Sequence, residues 1–254
     1  MKQNLYYRST FKRFNVFKSS ILGLAWAMAS YPRLLLEVFI RRDFGHRYFS
    51  LSSCITIFVI LALLPMARPD YGFSPDTLYY LIFEQPLWYI YLVAFLVFSI
   101  KRHKELKVKP GHYDAKWFSM STGEIHDWFF ELKYKGKTFS NRTIEIWLEP
   151  APFLLAGLIL ILLQSSLGIL LVACAIAYSL SYSAAYASGD GIIWDIIDNK
   201  LMVDATEKYY VDDEDIEGTK GVRFYTNRPD DKQLGKTISD ALNQKDDEDT
   251  SYAF

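Results

Sequence analysis

The feature that most constrains the fold is a run of 40 residues, 150–189, that contains no Asp, Glu, Lys, Arg or His. As one straight helix the run would be about 60 Å long, because an α-helix rises about 1.5 Å per residue. The hydrocarbon core of a bilayer is only about 30 Å thick. We therefore predict that the run crosses a membrane twice, at 150–163 and 167–187, and turns near Gln164. The first of these helices is short, so it either spans the bilayer or forms a re-entrant segment.

Two further apolar segments, 51–67 and 77–100, are each long enough to form a transmembrane helix, with Pro86 as an alternative start of the second. Five basic residues follow within 101–109, whereas the loop 68–76 contains only one. Because basic residues favour the cytoplasmic side, both termini are predicted to be cytoplasmic. The predicted fold is an α-helical integral membrane protein of the bacterial inner membrane. It has about four transmembrane helices, a small cytoplasmic β-hairpin insert and an acidic cytoplasmic tail.

Residues 20–40 consist of two short apolar stretches that Pro32 and Arg33 separate. We favour a broken helix on the cytoplasmic face of the membrane, because basic residues flank both ends of this segment. A fifth transmembrane helix is the alternative. In either case Arg33 and Glu37 have the i,i+4 spacing of a helical ion pair.

The cytoplasmic insert, 101–149, shows the two-residue alternation of β-strands. Apolar and polar side chains alternate over 128–134 and over 144–148, on either side of a turn that contains Gly136. This pattern predicts a β-hairpin, with 117–122 as a candidate third strand.

The tail is acidic, with 17 Asp and Glu against eight Lys and Arg over 190–254. Gly189 predicts the end of the fourth transmembrane helix, and Asp190 is a candidate cap for the next helix. Isoleucines over 192–201 recur at helical spacing, which predicts an amphipathic surface helix.

The rest of the tail is polar. We predict a short strand at 221–225, a helix at 232–242 and disorder over 243–254.

These patterns divide the chain into five predicted regions. They are a basic N-terminal region with an interfacial helix (1–50), a transmembrane hairpin (51–100), the β-rich insert (101–149), a second transmembrane hairpin (150–188) and the acidic tail (189–254).

The fourth predicted transmembrane helix carries small side chains in rows of four-residue spacing, which let helix backbones approach closely. Tyr178, Tyr182 and Tyr186 form another such row. Hydroxyl groups in lipid need partners, so we expect this helix to face other helices, either of its own chain or of a neighbour. The interface candidates are Ala173, Ala177, Ser179, Ser181, Ser183 and Ala185.

Charged residues near the predicted membrane supply two kinds of candidate. Glu84 is the only acidic residue within the four predicted helices, so it is either an ion-coupling group or a carboxylate that reaches water near a helix end. Residues 1–50 carry nine Lys and Arg against two acids, which favours contact with anionic lipid over nucleic acid. The lipid-contact candidates are Arg41, Arg42, Arg47, Lys101, Arg102 and Lys104.

The sequence contains no complete catalytic, cofactor or metal motif. Cys54 and Cys174 lie in apolar runs, and the four histidines are too scattered for a zinc site. Asp190, Asp195 and Asp198 come nearest to a metal site, but no second acidic helix matches them, so a solvated helix face is favoured. We therefore expect neither a cofactor nor a metal.

The leading hypothesis is a non-catalytic, multi-pass subunit of a larger bacterial inner-membrane assembly, such as a secretion or conjugation apparatus. Its expected partners are anionic lipids and other membrane subunits, a second copy of the chain included. The first alternative is a small channel or carrier that uses Glu84 and the polar face of the fourth helix. The second is a membrane-surface enzyme that uses Asp190, Asp195 and Asp198.

Overall fold

The computed structural model describes residues 2–11, 30–67, 75–108, 118–212 and 221–245. The chain divides into two compact units. The helical unit is Ile21–Tyr186, and the terminal unit combines Met1–Ser20 with Ala187–Phe254.

The described residues of the helical unit are mainly α-helical. In chain order the helices are α1 (30–40), α2 (Leu51–Leu63, continued by a 3-10 helix Leu64–Ala67), α3 (Pro75–Glu84), α4 (Pro86–Val108), α5 (Trp128–Glu131), α6 (Asn141–Thr143, continued by a π-helix Ile144–Leu148), α7 (Ala151–Leu162) and α8 (Ser166–Tyr210).

Two stretches of helix, Asn141–Leu162 and Ser166–Tyr210, are long and apolar enough to cross a membrane. Leu51–Ala67 is apolar but shorter. The predicted second span is divided, because α3 ends at Glu84 and α4 begins at Pro86, the alternative start. Proline suits the first turn of a helix, where its missing N–H would have no intrahelical partner.

The turn between α7 and α8 confirms the predicted reversal of the apolar run. Gln164 has a left-handed backbone with φ of 59°, and the Gly168 amide bonds to the Ser165 carbonyl at 3.0 Å. The two helices then meet at Gly157 and Gly168. A Cβ on Gly168 would lie 2.6 Å from the Ile161 nitrogen, so only glycine permits this approach.

Side chains of α4 hold α1 and α2 by hydrogen bonds to their backbone carbonyls. The Trp88 indole donates to Leu61 at 3.0 Å, the Tyr91 hydroxyl donates to Leu35 at 3.0 Å, and Arg102 Nε donates to Val38 at 3.1 Å. These three side chains tie α4 to the backbones of α1 and α2. The apolar core packs around the same contacts and includes Leu36, Val38, Cys54, Leu92, Phe95, Leu171 and Tyr178.

The predicted broken interfacial helix is wrong for its second half. Residues 30–40 are one helix that includes Pro32, and Leu35, Leu36 and Val38 are buried in the core of the helical unit. The apolar side chains after Arg33 therefore face protein. The first half, 20–29, lies outside the described residues.

The loop 41–50 is pinned by residues 118–124. Gly45 and Arg47 donate backbone hydrogen bonds to Ser121 and Ser119, both at 2.9 Å. A Cβ on Gly45 would lie 2.2 Å from the Ser119 carbonyl oxygen, so this approach requires glycine.

The insert contains a much smaller hairpin than its pattern predicts. β2 (Lys133–Tyr134) pairs antiparallel with β3 (Lys137–Thr138) around Gly136, which confirms the turn. The rest of the predicted hairpin is wrong, because Trp128–Glu131 and Ile144–Leu148 are helical. A short alternation cannot separate a strand from a helix, and Ser140 caps this helix by accepting the Thr143 amide. Residues 118–122 contain no strand either.

The terminal unit joins the two ends of the described chain. β1 (Lys2–Asn4) pairs antiparallel with β4 (Asn243–Lys245), which corrects the prediction that disorder begins at residue 243. The predicted helix is confirmed as α9 (Lys232–Leu242), capped by Asp231, whose carboxylate accepts the Gln233 amide at 2.9 Å. The predicted strand at 221–225 is wrong, since these residues form a turn and an irregular segment. Residues 246–254 lie outside the described part.

The predicted helix end at Gly189 is also wrong, because α8 continues through Gly189 and Gly191 to Tyr210. Each glycine costs a helix only about 1 kcal/mol relative to alanine, and strongly helical segments flank both. A Cβ at either position would meet nothing within 4 Å, so no packing requires glycine here.

Candidate functional site

The most distinctive feature of the helical unit is a buried polar network. It connects four parts of the chain: α1, the loop after α1, the π-helical stretch after α6, and α8. Its members are Arg33, Glu37, Arg41, Tyr48, Glu145, Glu149, Tyr178, Tyr182 and Tyr186. Its members recur every four residues: two on α1, followed by Arg41 just after that helix; Glu145 on the π-helix, followed by Glu149 just after it; and three on α8. Because residues four apart share a helix face, each helix presents one row to the others.

Glu37 accepts hydrogen bonds from α8 and from the loop after α1. Its carboxylate accepts from Tyr182 at 2.7 Å and from Tyr48 at 2.6 Å, and Arg33 Nε lies 3.0 Å from it. The i,i+4 ion pair predicted from the sequence is therefore confirmed. Arg33 also donates to Ser181 Oγ at 2.8 Å, which ties α1 to α8.

Arg41 holds the other end of the network. Its guanidinium donates to both oxygens of Glu149, to Glu145 at 2.9 Å and to Thr122 at 3.0 Å. Arg41 and Glu149 are both 0% exposed. Such a charge-assisted, two-pronged pair is the strongest ordinary polar contact that side chains form.

The tyrosines of α8 complete the coordination of the glutamates. Tyr178 donates to Glu149 and Tyr186 donates to Glu145, as Tyr182 does to Glu37. Arg41 also forms a cation–π contact, since its guanidinium carbon lies 4.5 Å from the centre of the Tyr182 ring. Each hydroxyl of the row therefore has a carboxylate partner.

The protonation of the Tyr48 hydroxyl, which lies in the loop after α1, is set by its surroundings. Burial, together with the neighbouring Glu37 carboxylate, raises the pKa of Tyr48 above its usual value. Its hydroxyl therefore stays protonated at neutral pH and donates to Glu37.

The buried polar atoms of the network all have hydrogen-bond partners. In the described part of the chain, none of its side-chain nitrogen or oxygen atoms is buried without a hydrogen-bond partner. These contacts connect α1, the π-helical stretch and α8 through a fully hydrogen-bonded set of buried polar groups.

The interface candidates on α8 divide between the interior and the surface of the helical unit. Ser181 is buried against α1, whereas Ala177, Ser179, Ser183 and Ala185 are half-buried. Ala173 is exposed. The neighbour that α8 faces through its tyrosine row is thus its own chain.

Two grooves lie beside Ala173. They have volumes of about 630 and 570 Å³ and share Leu170 and Ala173. The larger is lined by α1, α2 and α8 and has small side chains on α2, namely Ser52, Ser53 and Thr56.

Sequence reasoning missed the glycine contact between α7 and α8 and the acidic half of the network. Gly157 and Gly168 were visible only as single residues within apolar runs. Glu145 and Glu149 have i,i+4 spacing, a signal that the strand interpretation of 144–148 concealed.

Glu84 is the last residue of α3 and is exposed, so it does not lie within a continuous helix 77–100.

Two of the six lipid-contact candidates are corrected. Arg41 is bound to Glu149, and Arg102 is buried between the Val38 carbonyl and Glu105. Neither guanidinium can reach a lipid headgroup. The other four, Arg42, Arg47, Lys101 and Lys104, are exposed.

The aspartates of α8 lie in the terminal unit. Asp195 accepts a hydrogen bond from Tyr7 at 3.0 Å, and Asp190 and Asp198 are exposed. Among the described residues, no group of three or more His, Cys, Asp or Glu side chains is placed to hold a metal ion.

Comparison with protein-family models, curated proteins and solved structures finds no match to this chain.

Proposed function

We propose that this chain is a non-catalytic, multi-pass subunit of a larger membrane assembly, such as a bacterial secretion or conjugation apparatus. In this proposal α2, α4, α7 and the first half of α8 cross the bilayer, and both termini are cytoplasmic. The observation that carries the proposal is the contrast between a polar network closed inside the helical unit and an apolar exterior.

The exterior of the helices supports a lipid environment. Ile60 on α2, Ile90 on α4, Leu155 on α7 and Leu180 on α8 are all about 60% exposed. Apolar faces of this extent are rare on a protein surrounded by water. In a bilayer they contact acyl chains, while each helix satisfies its own backbone hydrogen bonds.

The buried polar network supports a structural role for the helices. Placing ionised side chains inside a membrane protein is costly unless they are paired. Here each glutamate is paired with an arginine and accepts a hydrogen bond from a tyrosine, so the cost of burying its charge is offset. A different helix register would break these pairs and is therefore disfavoured. The three tyrosines on the polar face of α8 are already bound to glutamates of other elements.

The charge of the chain supports contacts on the cytoplasmic side. Arg42, Arg47, Lys101 and Lys104 are exposed bases that can hold anionic lipid, each contributing about 1 kcal/mol near a charged surface. The acidic tail is the complementary surface for a basic partner. We expect no nucleic acid among the partners.

The grooves beside Ala173 are the expected contact for a helix of a neighbouring subunit, with a second copy of the chain as one candidate. Small side chains on α2 and α8 line them, and such residues let helix backbones approach closely in a bilayer. Ala173→Phe would fill the groove without changing the buried polar network.

The test is co-purification from native membranes in a mild detergent. Wild type should retain a partner at fixed stoichiometry, and Ala173→Phe should lose it while remaining folded. Leu180→Phe is the matched control, because Leu180 is exposed on the same helix but does not line either groove. A wild-type protein that is strictly monomeric would overturn the proposal.

The channel and enzyme alternatives gain no support from a described contact. Unchanged ion flux in liposomes after Glu84→Gln would remove the first. Unchanged cellular function after Asp195→Ala together with Asp198→Ala would remove the second.

A further inference from the structure

The part of α8 that belongs to the terminal unit has one face that contacts the N-terminal residues of the chain. Asp195 accepts a hydrogen bond from Tyr7 at 3.0 Å, and Asn199 accepts one from the Asn4 amide at 2.8 Å. Thr206 accepts a hydrogen bond from the Asn4 side chain at 2.9 Å. These polar residues recur at helical spacing, so the polar face of the helix supports the N-terminal strand.

The helix surface that points away from these polar residues is apolar and exposed, with Ile193 and Ile197 near its centre and Ile192 and Ile196 at its edge; this is the reverse of a helix on the outside of a soluble protein. Trp194 is 64% exposed and Ile193 is 57% exposed. We name the exposed apolar residues the isoleucine face; its members are Ile192, Ile193, Trp194, Ile196, Ile197 and Leu201. Six large apolar side chains within ten residues need a cover other than water.

We propose that the isoleucine face lies in the headgroup region of the bilayer, so that the terminal unit is held at the membrane surface. The inference rests on the proposed function, because it assumes that the preceding part of α8 crosses the membrane. The contact would be with lipid, and no partner protein would be needed to cover the face.

Continuity along α8 favours lipid as the occupant. Only four residues, 188–191, separate the isoleucine face from the predicted end of the span at residue 187. The stretch 166–201, from the start of α8 to the end of the isoleucine face, would be about 54 Å long as a helix, whereas the bilayer core is only about 30 Å thick. Its second part therefore needs a location outside the core.

The composition of the face also fits the bilayer interface. Tryptophan is enriched at the level of the headgroups, where its ring has an apolar body and a polar N–H. Lys200 is exposed and lies one turn after Ile196 on the same face, from which its amine can reach a lipid phosphate. Gly189 and Gly191 lie between the two parts of α8, and glycine is among the weakest helix formers, so the helix adjusts its direction most easily there.

The experiment measures the surroundings of single positions in the full-length protein, reconstituted in vesicles of phosphatidylcholine and phosphatidylglycerol. A fluorophore is attached to Ile193→Cys, Ile176→Cys or Asp198→Cys. The two kinds of quencher are aqueous iodide and lipids that carry a nitroxide either near the headgroup or deep in the acyl chain, the latter for Ile176. The unmodified protein provides the background, because Cys54 and Cys174 are both buried.

The proposal predicts severalfold stronger lipid quenching at Ile193 than at Asp198, an exposed position on the other side of the same helix. Iodide should show the opposite order. If the label at Ile193 is quenched by iodide as strongly as the label at Asp198, the face is open to water and the proposal is wrong. If neither quencher reaches Ile193, protein covers the face, which also overturns the proposal.

Ile176 separates this inference from the proposed function. It is half exposed on the part of α8 that is assigned to the bilayer core. A label there that reports lipid, beside a label at Ile193 that reports water, refutes only the surface contact. A label at Ile176 that reports water refutes the transmembrane assignment itself.

Discussion

Arg41→Met tests the buried polar network at its most buried cation. Methionine keeps an unbranched side chain of similar length but removes the guanidinium that contacts Glu149, Glu145 and Thr122. Glu149 would then remain 0% exposed with Tyr178 as its remaining donor in the network. Removing one partner of a buried ion pair costs about 3–5 kcal/mol. That corresponds to a hundredfold or larger rise in the unfolding equilibrium constant, because about 1.4 kcal/mol is a factor of ten.

The assay is denaturant unfolding in detergent micelles, followed by circular dichroism, for Arg41→Met, Glu149→Gln and the double variant. The double variant should lose less stability than the two single losses combined, since residues in contact couple by about 0.5–3 kcal/mol. Arg42→Met is the matched control because Arg42 is the exposed neighbour, and its change should stay within about 0.5 kcal/mol. Equal stability of the Arg41 and Arg42 variants would refute the structural role of the network.

Three further predictions concern other contacts. Gly168→Ala should destabilise the α7–α8 hairpin by about 1–3 kcal/mol, because its Cβ would press against the Ile161 and Gly157 backbones. Gly189→Ala, where a Cβ meets nothing, should instead stabilise α8 by about 0.5–1 kcal/mol. Equal effects of the two variants in thermal unfolding would contradict the close approach of α7 and α8. Tyr182→Phe should cost about 1.5–3 kcal/mol in the same denaturant assay, the value of a hydrogen bond to a charged group, while Phe at the exposed Tyr134 should change little. Burial and the Asp195 hydrogen bond raise the pKa of Tyr7 from 10.0 to about 12. The folded state therefore holds this proton more tightly than the unfolded state, and the protein loses stability as pH rises between these two values. Tyr7→Phe should lose less stability over that interval, and parallel curves of stability against pH would show that Tyr7 contributes nothing.

Local signals in the sequence predicted local elements well. The length of the uncharged run and the polar residues 164–166 predicted the α7–α8 hairpin, because no single helix of that length fits a bilayer core. The helix predicted at 232–242 is confirmed as α9, and the structure adds Asp231 as its cap. The pairing of Arg33 with Glu37 followed from helical spacing alone.

Contacts between distant parts of the chain could not be predicted in this way. Arg41 and Glu149 are 108 positions apart, and neither residue alone distinguishes a buried pair from a solvated charge. The pairing of β1 with β4 likewise depends on the two ends of the chain meeting around Asn4, which donates to Asn243 at 2.7 Å. Basic side chains near a membrane therefore led to a lipid assignment for Arg41 that burial excludes.

The strand interpretation of 144–148 failed for a different reason. Five residues are too few to separate a two-residue period from a helical one, and Ile144 and Ile146 are both buried within a π-helix. The error had a consequence for the site, because in a strand Glu145 and Glu149 would share a face but lie about 13 Å apart, at about 3.3 Å per residue, whereas helical backbone brings both carboxylates to Arg41.

The proposed membrane assembly is tested most directly by the mass of the particle that contains this chain after extraction from native membranes in mild detergent, measured by native mass spectrometry. We expect the chain to be recovered from the membrane fraction in a complex of fixed composition, larger than its own mass of 29.5 kDa. A chain that stays in the aqueous fraction, or leaves the membrane only as a monomer, would contradict the proposal.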